Sequence, residues 1–255
     1  LKKIILIILV GSLLFSATLP KTFSNAKNMS VRLYSTYHLK TFYTDSNMSL
    51  AAKIHQKKFP YKSSVDLYLK LNSSPYKGTK YVSRGQKVEW EHITPASWFI
   101  TADQTIREAW ENGNDKCVTS SGKSYKGRKC AEKVSTLFNL MEADMYNLVP
   151  VIGALNALRS DKPYGIIDGE KREFGETLDV EINKDKIEVM PSRRGDIARV
   201  LLYMNKKYGV KFPDHNNTIN VLKKWDNEDP IQDDGWEKQK IDILNKTYGT
   251  EFIYK

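Results

Sequence analysis

Cysteine and histidine are scarce in this chain. Of its 255 residues two are Cys, at positions 117 and 130, and four are His. A zinc site needs more Cys or His close together than this sequence supplies. Long apolar runs are rarer still: Ile4-Ile5-Leu6-Ile7-Ile8-Leu9-Val10, continued through Leu13, Leu14 and Phe15, stands alone, which excludes a polytopic membrane protein. No internal repeat and no low-complexity tract interrupts the rest. With 40% hydrophobic and 27% charged residues the composition is that of an ordinary globular chain and excludes global disorder. The length suffices for one large domain or two small ones with a core that needs no staples.

What is present begins with the N-terminus. Lys2 and Lys3 precede the apolar run, which is short for a membrane span and gives way to small residues at Ser16 and Ala17. This reads as a secretory signal peptide over residues 1–19, with cleavage somewhere in 16–26; the alternative is an uncleaved anchor. The expected mature protein is exported, periplasmic or secreted, with no stable membrane span. The chain carries a net charge of +10. Residues 1–19 hold two lysines and no acid, so their removal leaves it basic. An excess of that size favours polyanionic partners, with nucleic acid and anionic membrane surfaces foremost. In an exported chain, Cys117 and Cys130 read as a disulfide closing one loop, ahead of free thiols or metal ligands.

Periodicity places the elements. Short helical segments are expected over Ser49 to Gln56 and Ser64 to Leu71. Lys87 to Ile93 alternates in polarity and carries Val, Trp and Ile, so a strand is expected there that stops at Pro95. Asp103 to Lys133 reads as polar and loop-rich, Val134 to Met145 as helix, Asn147 to Pro150 as extended, and Gly153 to Arg159 as a short helix. The clearest helix places Ile197, Val200, Leu201, Met204 and Tyr208 on one face and ends at Gly209. Two more are expected near Thr218 to Trp225 and Asp234 to Thr247, the second opening on Asp234 and Glu237 at capping-box spacing. The acid-rich segment Asp226 to Glu237 should lie away from any path for phosphate.

Taken alone, a Glu91-His92 pair is more often a surface salt link or a core hydrogen bond than a site. In a strand the two side chains leave opposite faces, and both can border one site only where the strand ends. Its surroundings say more. Glu89-Trp90-Glu91-His92-Ile93-Thr94-Pro95-Ala96 resembles the Glu-Trp-Glu-His-Val-Val-Pro-Ala signature of the endonuclease I family. Glu142-Ala143-Asp144-Met145-Tyr146-Asn147-Leu148-Val149-Pro150, followed by Gly153, Asn156, Arg159 and Ser160, resembles a second family segment. Arg194-Gly195-Asp196-Ile197-Ala198-Arg199 with Tyr203-Met204 resembles a third. The resemblance spans roughly residues 22–230 and keeps the order of the motifs.

The resemblance implies an α+β fold, a mostly helical single domain over residues 20–255 with a ββα-metal nuclease core, and a Mg²⁺-dependent, nonspecific endonuclease, a monomer, that hydrolyses DNA to 5′-phosphate ends, with RNA left open as a second substrate. Carried over residue by residue, His92 is the general base, Glu91 and Asn156 are the protein ligands of one Mg²⁺, and Arg128 holds the phosphate. A carboxylate with an amide carbonyl is a low-charge, all-oxygen set that suits a cation which keeps most of its waters. An imidazole of ordinary pKa, about 6.5, is neutral near pH 7 and can take a proton. A ribonuclease on the same scaffold and a non-catalytic basic nucleic-acid-binding or uptake protein are the alternatives, the latter having no need of a metal site. His38, His55 and His215 read as structural or surface residues. Asp144 and Asn147 read as holding the chain by hydrogen bonds, or as supporting the metal. Arg159, Arg193, Arg194 and Arg199 read equally as a phosphate-tracking face or as helix-end salt links. Two family features are missing: Phe42-Tyr43-Thr44-Asp45-Ser46 lacks both cysteines of the Phe-Tyr-Cys-x-Cys segment, and the Gln-Gly-Asn-x-Asn-Pro-Phe ending is replaced.

Overall fold

A computed structural model describes residues 18–37, 40–44, 70–73, 75–85, 87–169, 171–174, 178–233 and 235–255, with the side chains of 35–37 set aside. The apolar N-terminal run through residue 17, His38, His55, the segment Ser49 to Gln56, most of Ser64 to Leu71, and Asp234 lie outside the described residues. Lys70 and Leu71 are helical, as expected.

In chain order the described elements are α1 (Phe23–Tyr37), α2 (Lys80–Arg84), β1 (Val88–His92), a 3₁₀ turn (Ala96–Thr101), α3 (Gln104–Glu111), α4 (Arg128–Val134), α5 (Thr136–Glu142), β2 (Leu148–Ile152) and α6 (Gly153–Arg159). There follow β3 (Val180–Ile182), β4 (Ile187–Val189), a second 3₁₀ turn (Pro191–Arg193), α7 (Arg194–Tyr208), α8 (His215–Glu228) and α9 (Trp236–Tyr248). This is an α+β fold, mostly helical and built as a single domain around one apolar cluster that runs from Tyr34 of α1 to Leu244 of α9.

The element that positions everything else is the antiparallel pair β1–β2, in which Glu91 faces Val149 and His92 faces Leu148. Every β2 residue is buried, and β1 is buried at all but Glu89. The ladder continues past the strand because Asn147 imitates a strand partner. Its carbonyl accepts from Ile93 N at 3.0 Å, its Oδ1 from Thr94 N at 2.7 Å, and its Nδ2 donates to Thr94 O at 3.1 Å. Asn147 therefore pins the connection by hydrogen bonds, the first of its two expected roles. Helix α6 starts on the residue after β2. A Cβ on Gly153 would sit 2.6 Å from Glu89 Oε1 and 2.8 Å from Arg84 O, so only glycine lets strand, helix and Glu89 close together there.

Three expectations are corrected. The segment from Asp103 to Lys133 is not simply loop: it contains α3 and most of α4. Asp103 caps α3 by accepting from Ile106 N at 3.1 Å, and Ile106 and Ala109 bury one side of it. Both helices are short, below the length at which an isolated helix holds itself, so packing rather than local propensity stabilises them. The helix expected over Val134 to Met145 is broken at Ser135, whose extended backbone ends α4 and whose hydroxyl caps α5 through Phe138 N at 3.1 Å. At the start of α9 the N-cap is Gly235, which offers no side-chain cap. The pair β3–β4, Val180 opposite Val189, had no counterpart in the sequence reading. Helix α7 agrees with its periodicity, and Gly209 ends it in the left-handed conformation at φ 73°.

Candidate active site

The C-terminal end of β1 opens on a cavity of about 450 Å³. Glu91, His92, Arg128 and Asn156, the four residues picked out from the sequence, all border it. They come from three elements: β1, the first residue of α4, and the middle of α6. Glu91 and His92 leave opposite faces of the strand, and the cavity wraps around the strand's end before Pro95, so both reach it.

His92 is only 7% exposed. Its Nε2 lies 2.8 Å from the Glu142 carbonyl. A carbonyl can only accept, so Nε2 carries the proton and Nδ1 keeps the lone pair. The ring is flanked by Phe23 at 4.8 Å and Phe99 at 6.2 Å between centroids. Burial lowers its pKa to about 3; the bond to Glu142 raises it, while the Arg128 and Arg159 charges add to the lowering. The imidazole is therefore neutral at pH 7.

Glu91, 5% exposed, accepts from Arg159 Nη1 at 2.6 Å and from Tyr43 OH at 3.3 Å. Both bonds fall on Oε1, and Oε2 has none among the described residues. Burial raises its pKa, and the Arg159 charge opposes that rise. Asn156 donates from Nδ2 to Glu89 Oε2 at 3.0 Å, which fixes the amide with its oxygen on the other side. Glu89 is in turn held by Arg84, with Nε to Oε1 at 2.9 Å. Oδ1 of Asn156, like Oε2 of Glu91, is an oxygen without a hydrogen bond among the described residues.

Arg128 stands at the start of α4, two residues before Cys130, which forms the expected disulfide with Cys117. Its Nε bonds the Glu142 carboxylate, its guanidinium lies 5.2 Å from the Phe23 ring, and its Nη2 has no hydrogen-bond partner. Burial pushes the Glu142 carboxyl up to about 7, against the pull of Arg128. Glu142 thus touches both functional candidates, through its carbonyl to His92 and through its carboxylate to Arg128. The sequence reading gave no role to Glu142, Glu89 or Phe23. For Glu89 there was a signal, its position two residues before Glu91 on the same strand face. Glu142 and Phe23 had none, because their contacts come from distant chain segments.

The remaining candidates resolve toward structure. Arg193 pairs with Asp196 at 3.1 Å, Arg194 with Glu188 at 2.7 Å, and Arg199 with Asp196, Asp226 and Glu237, so these three are salt links and none borders the cavity. Arg159 also makes an ion pair, but with Glu91 and at the cavity wall. Asp144 accepts from the hydroxyls of Tyr203 and Tyr208 at 2.8 Å each and pairs with Lys207 at 2.9 Å. This ties the connection between α5 and β2 to α7 and leaves Asp144 away from the cavity wall. His215 accepts from Phe212 N through Nδ1 at 3.3 Å, a structural role. The described acids of Asp226 to Glu237 are absent from the cavity wall, as expected, and Asp226 and Glu237 are buried on Arg199.

With strand pair, following helix and buried histidine in place, comparison with known proteins assigns the class. The chain belongs to the endonuclease I family, whose model matches residues 22–251. That reaches beyond the three motifs and includes α9. A periplasmic deoxyribonuclease of Aeromonas hydrophila is 29% identical over 233 residues, 90% of this chain and 83% of the relative. An extracellular deoxyribonuclease of the same species is 31% identical over 232 residues, 90% of this chain and 86% of its own. Endonuclease-1 of Buchnera aphidicola from Acyrthosiphon pisum is 28% identical over 187 residues, 72% of this chain and 66% of the relative. The chain is accordingly a nuclease, a hydrolase. Among the described residues no helix is long and apolar enough to cross a membrane.

Proposed function

We propose that this nuclease is an exported endonuclease that hydrolyses DNA without strong sequence preference, with His92 as general base, Glu91 and Asn156 as protein ligands of one Mg²⁺, and Arg128 on the phosphate. The observation that carries the reading is the convergence of these four side chains on one cavity, with the His92 tautomer set by the Glu142 carbonyl. The β1–β2 pair followed at once by α6 supports a ββα-metal arrangement, since the proposed ligands stand on its strand and its helix. Names of the relatives support DNA as substrate and export as destination.

The donor set fits a hard cation. Glu91 Oε2 and Asn156 Oδ1 are both oxygens, both belong to residues on the cavity wall, and neither accepts a hydrogen bond from the described residues. The described residues contain no group of three or more His, Cys, Asp or Glu that could hold a metal, so a cation here would rest on these two oxygens, water and phosphate. When bound, Mg²⁺ would supply counter-charge to the phosphate and help for the departing 3′ oxygen. The protein's own residues do the rest. His92 Nδ1 accepts a proton from a water in line with the phosphorus, and Nε2–H on the Glu142 carbonyl keeps the ring from turning. Arg128, held at Nε by Glu142, borders the cavity, where its guanidinium would meet a phosphate oxygen; its Nη2 is buried and unpaired among the described residues. A phosphate beside His92 would also offset the two guanidinium charges that help to hold its pKa down. Contacts of this kind go to phosphate and sugar, which accounts for weak sequence preference.

Purified protein lacking residues 1–19 should nick supercoiled plasmid with Mg²⁺ and stop when EDTA is added. His92→Ala should lose cutting and keep DNA binding. Full cutting by that variant, or undiminished cutting in EDTA, refutes the mechanism, and RNA cleaved in preference to DNA in the same assay refutes the substrate.

A further inference from the structure

Arg159 is fully buried and commits both terminal nitrogens of its guanidinium to the end of β1. Nη1 donates to Glu91 Oε1 at 2.6 Å and to the His92 carbonyl at 2.8 Å, Nη2 to the Ile93 carbonyl at 2.7 Å, and Nε to the Lys162 carbonyl at 3.2 Å. Its face lies 4.7 Å from the Tyr164 ring, and the Tyr164 hydroxyl is 3.0 Å from that of Tyr43, which donates to the same Glu91 oxygen. Two residues on separate chain segments, Arg159 and Tyr43, thus donate to Oε1, and Tyr164 backs both of them. The other oxygen accepts no hydrogen bond from the described residues, although Glu91 borders the cavity.

A carboxylate that is free to rotate can meet a cation with either oxygen or with both. Here one oxygen is committed to a planar, multiply anchored guanidinium, and a carboxylate is too rigid for the second to move independently. We propose that Arg159 is a positioning residue that makes Glu91 a one-oxygen metal ligand, tying Oε1 to the interior and leaving Oε2 alone for a divalent cation. The proposal rests on the reading of Glu91 as a ligand. Arg159 stands three residues after Asn156 on α6, so the helix that carries one ligand also fixes the other, and the two are set relative to each other by one turn of helix.

The test measures metal binding without turnover. In a His92→Ala background, Mn²⁺ binding is followed by loss of the free-ion electron paramagnetic resonance signal, with thermal unfolding recorded for each variant. Glu91→Gln is the control for the site and should remove the binding. Arg159→Lys keeps the charge but cannot hold Glu91 and two carbonyls at once, and should weaken Mn²⁺ binding by about tenfold or more, the usual loss when a group that orients a metal ligand is removed. Tyr43→Phe deletes one hydroxyl from the same oxygen and should weaken it less, by about twofold to threefold. A folded Arg159→Lys protein with unchanged or tighter Mn²⁺ binding overturns the proposal, since the arginine would then only staple strand to helix or compete with the cation. Should Arg159→Lys fail to fold, Tyr43→Phe decides, and unchanged binding there overturns it equally. Mn²⁺ binding that survives Glu91→Gln refutes the reading of Glu91 itself, and the proposal falls with it.

Discussion

Two arginines of this protein have no exposed surface, Arg159 and Arg199, and each sits among carboxylates. Arg199 faces three of them. Its Nε donates to both Glu237 oxygens at 2.8 Å, and its terminal nitrogens reach Asp226 at 3.1 Å, Asp196 at 3.2 Å and the Asp229 carbonyl at 2.6 Å. The acids come from α7, α8 and α9, so the network locks three helices, and no residue of it borders the active-site cavity. Arg159 has a single carboxylate partner and three carbonyls, and its neighbourhood is left incomplete: among the described residues Glu91 Oε2, Asn156 Oδ1 and Arg128 Nη2 make no hydrogen bond. Unsatisfied polar groups near a buried charge are costly and are retained where a ligand completes them. The comparison therefore separates a charge cluster that serves the fold from one that serves chemistry, by what each leaves open.

That separation is sharp enough to be broken by experiment. The largest effect should come from His92→Ala, which is expected to reduce plasmid nicking by about 10²–10⁴-fold while changing unfolding free energy by about 1 kcal/mol. Arg199→Leu should do the converse. It strands Asp196, Asp226 and Glu237 in the interior, and urea unfolding should show a loss of about 3–5 kcal/mol, with the folded fraction cutting at the wild-type rate. If Arg199→Leu lowers the specific activity of folded protein as much as His92→Ala does, the two clusters are not separate.

A smaller effect, and one that touches both properties, is expected at the disulfide. Replacing Cys117 and Cys130 by Ser opens a loop of 13 residues' separation and should cost about 3 kcal/mol. Arg128, two residues from Cys130, should loosen with it, so phosphate-dependent KM should rise more than kcat falls. An unchanged KM would show that α4 holds Arg128 without the bridge.

The most gradual effect is a slope with pH. Lys240 is buried with Nζ donating to the Tyr146 carbonyl at 2.7 Å and the Leu148 carbonyl at 3.1 Å, and burial lowers its pKa from 10.5 to about 7. Between those values the unfolded chain binds a proton there that the folded chain does not. Stability from this group therefore rises as pH climbs from about 7 toward 10.5 and is lowest below 7. Denaturation of Lys240→Met against wild type across that range should show the slope in the wild type alone, and parallel curves would contradict the assignment.

Legibility differed by element for physical reasons. Helix α6 coincides with the expected Gly153 to Arg159, and α7 ends at the expected Gly209, because periodicity and an end signal are local properties of the sequence. The strand at Glu91-His92 was legible for the same reason. Helices α3 and α4 were not, since Ile106 with Ala109 and Cys130 with Ala131 present only a short apolar face in a polar run, and their stability comes from what they pack against. The four site residues were legible through family motifs. Their supports were not: Phe23 on His92, Glu142 on His92 and Arg128, and Tyr43 with Tyr164 behind Glu91 are contacts between segments far apart in the chain.

By itself the sequence determined the kinds of chemistry available: oxygen donors rather than a cysteine–histidine metal set, a histidine beside a glutamate at a strand end, a basic chain and its family. It could not divide Arg159 from Arg193, Arg194 and Arg199, because all four are arginines within a few residues of an acid or a helix end. Tertiary structure made that division. A charge's role depends on which partners surround it and on how many of its hydrogen bonds are filled, and those are set by helices and strands meeting across the fold rather than by neighbours along the chain.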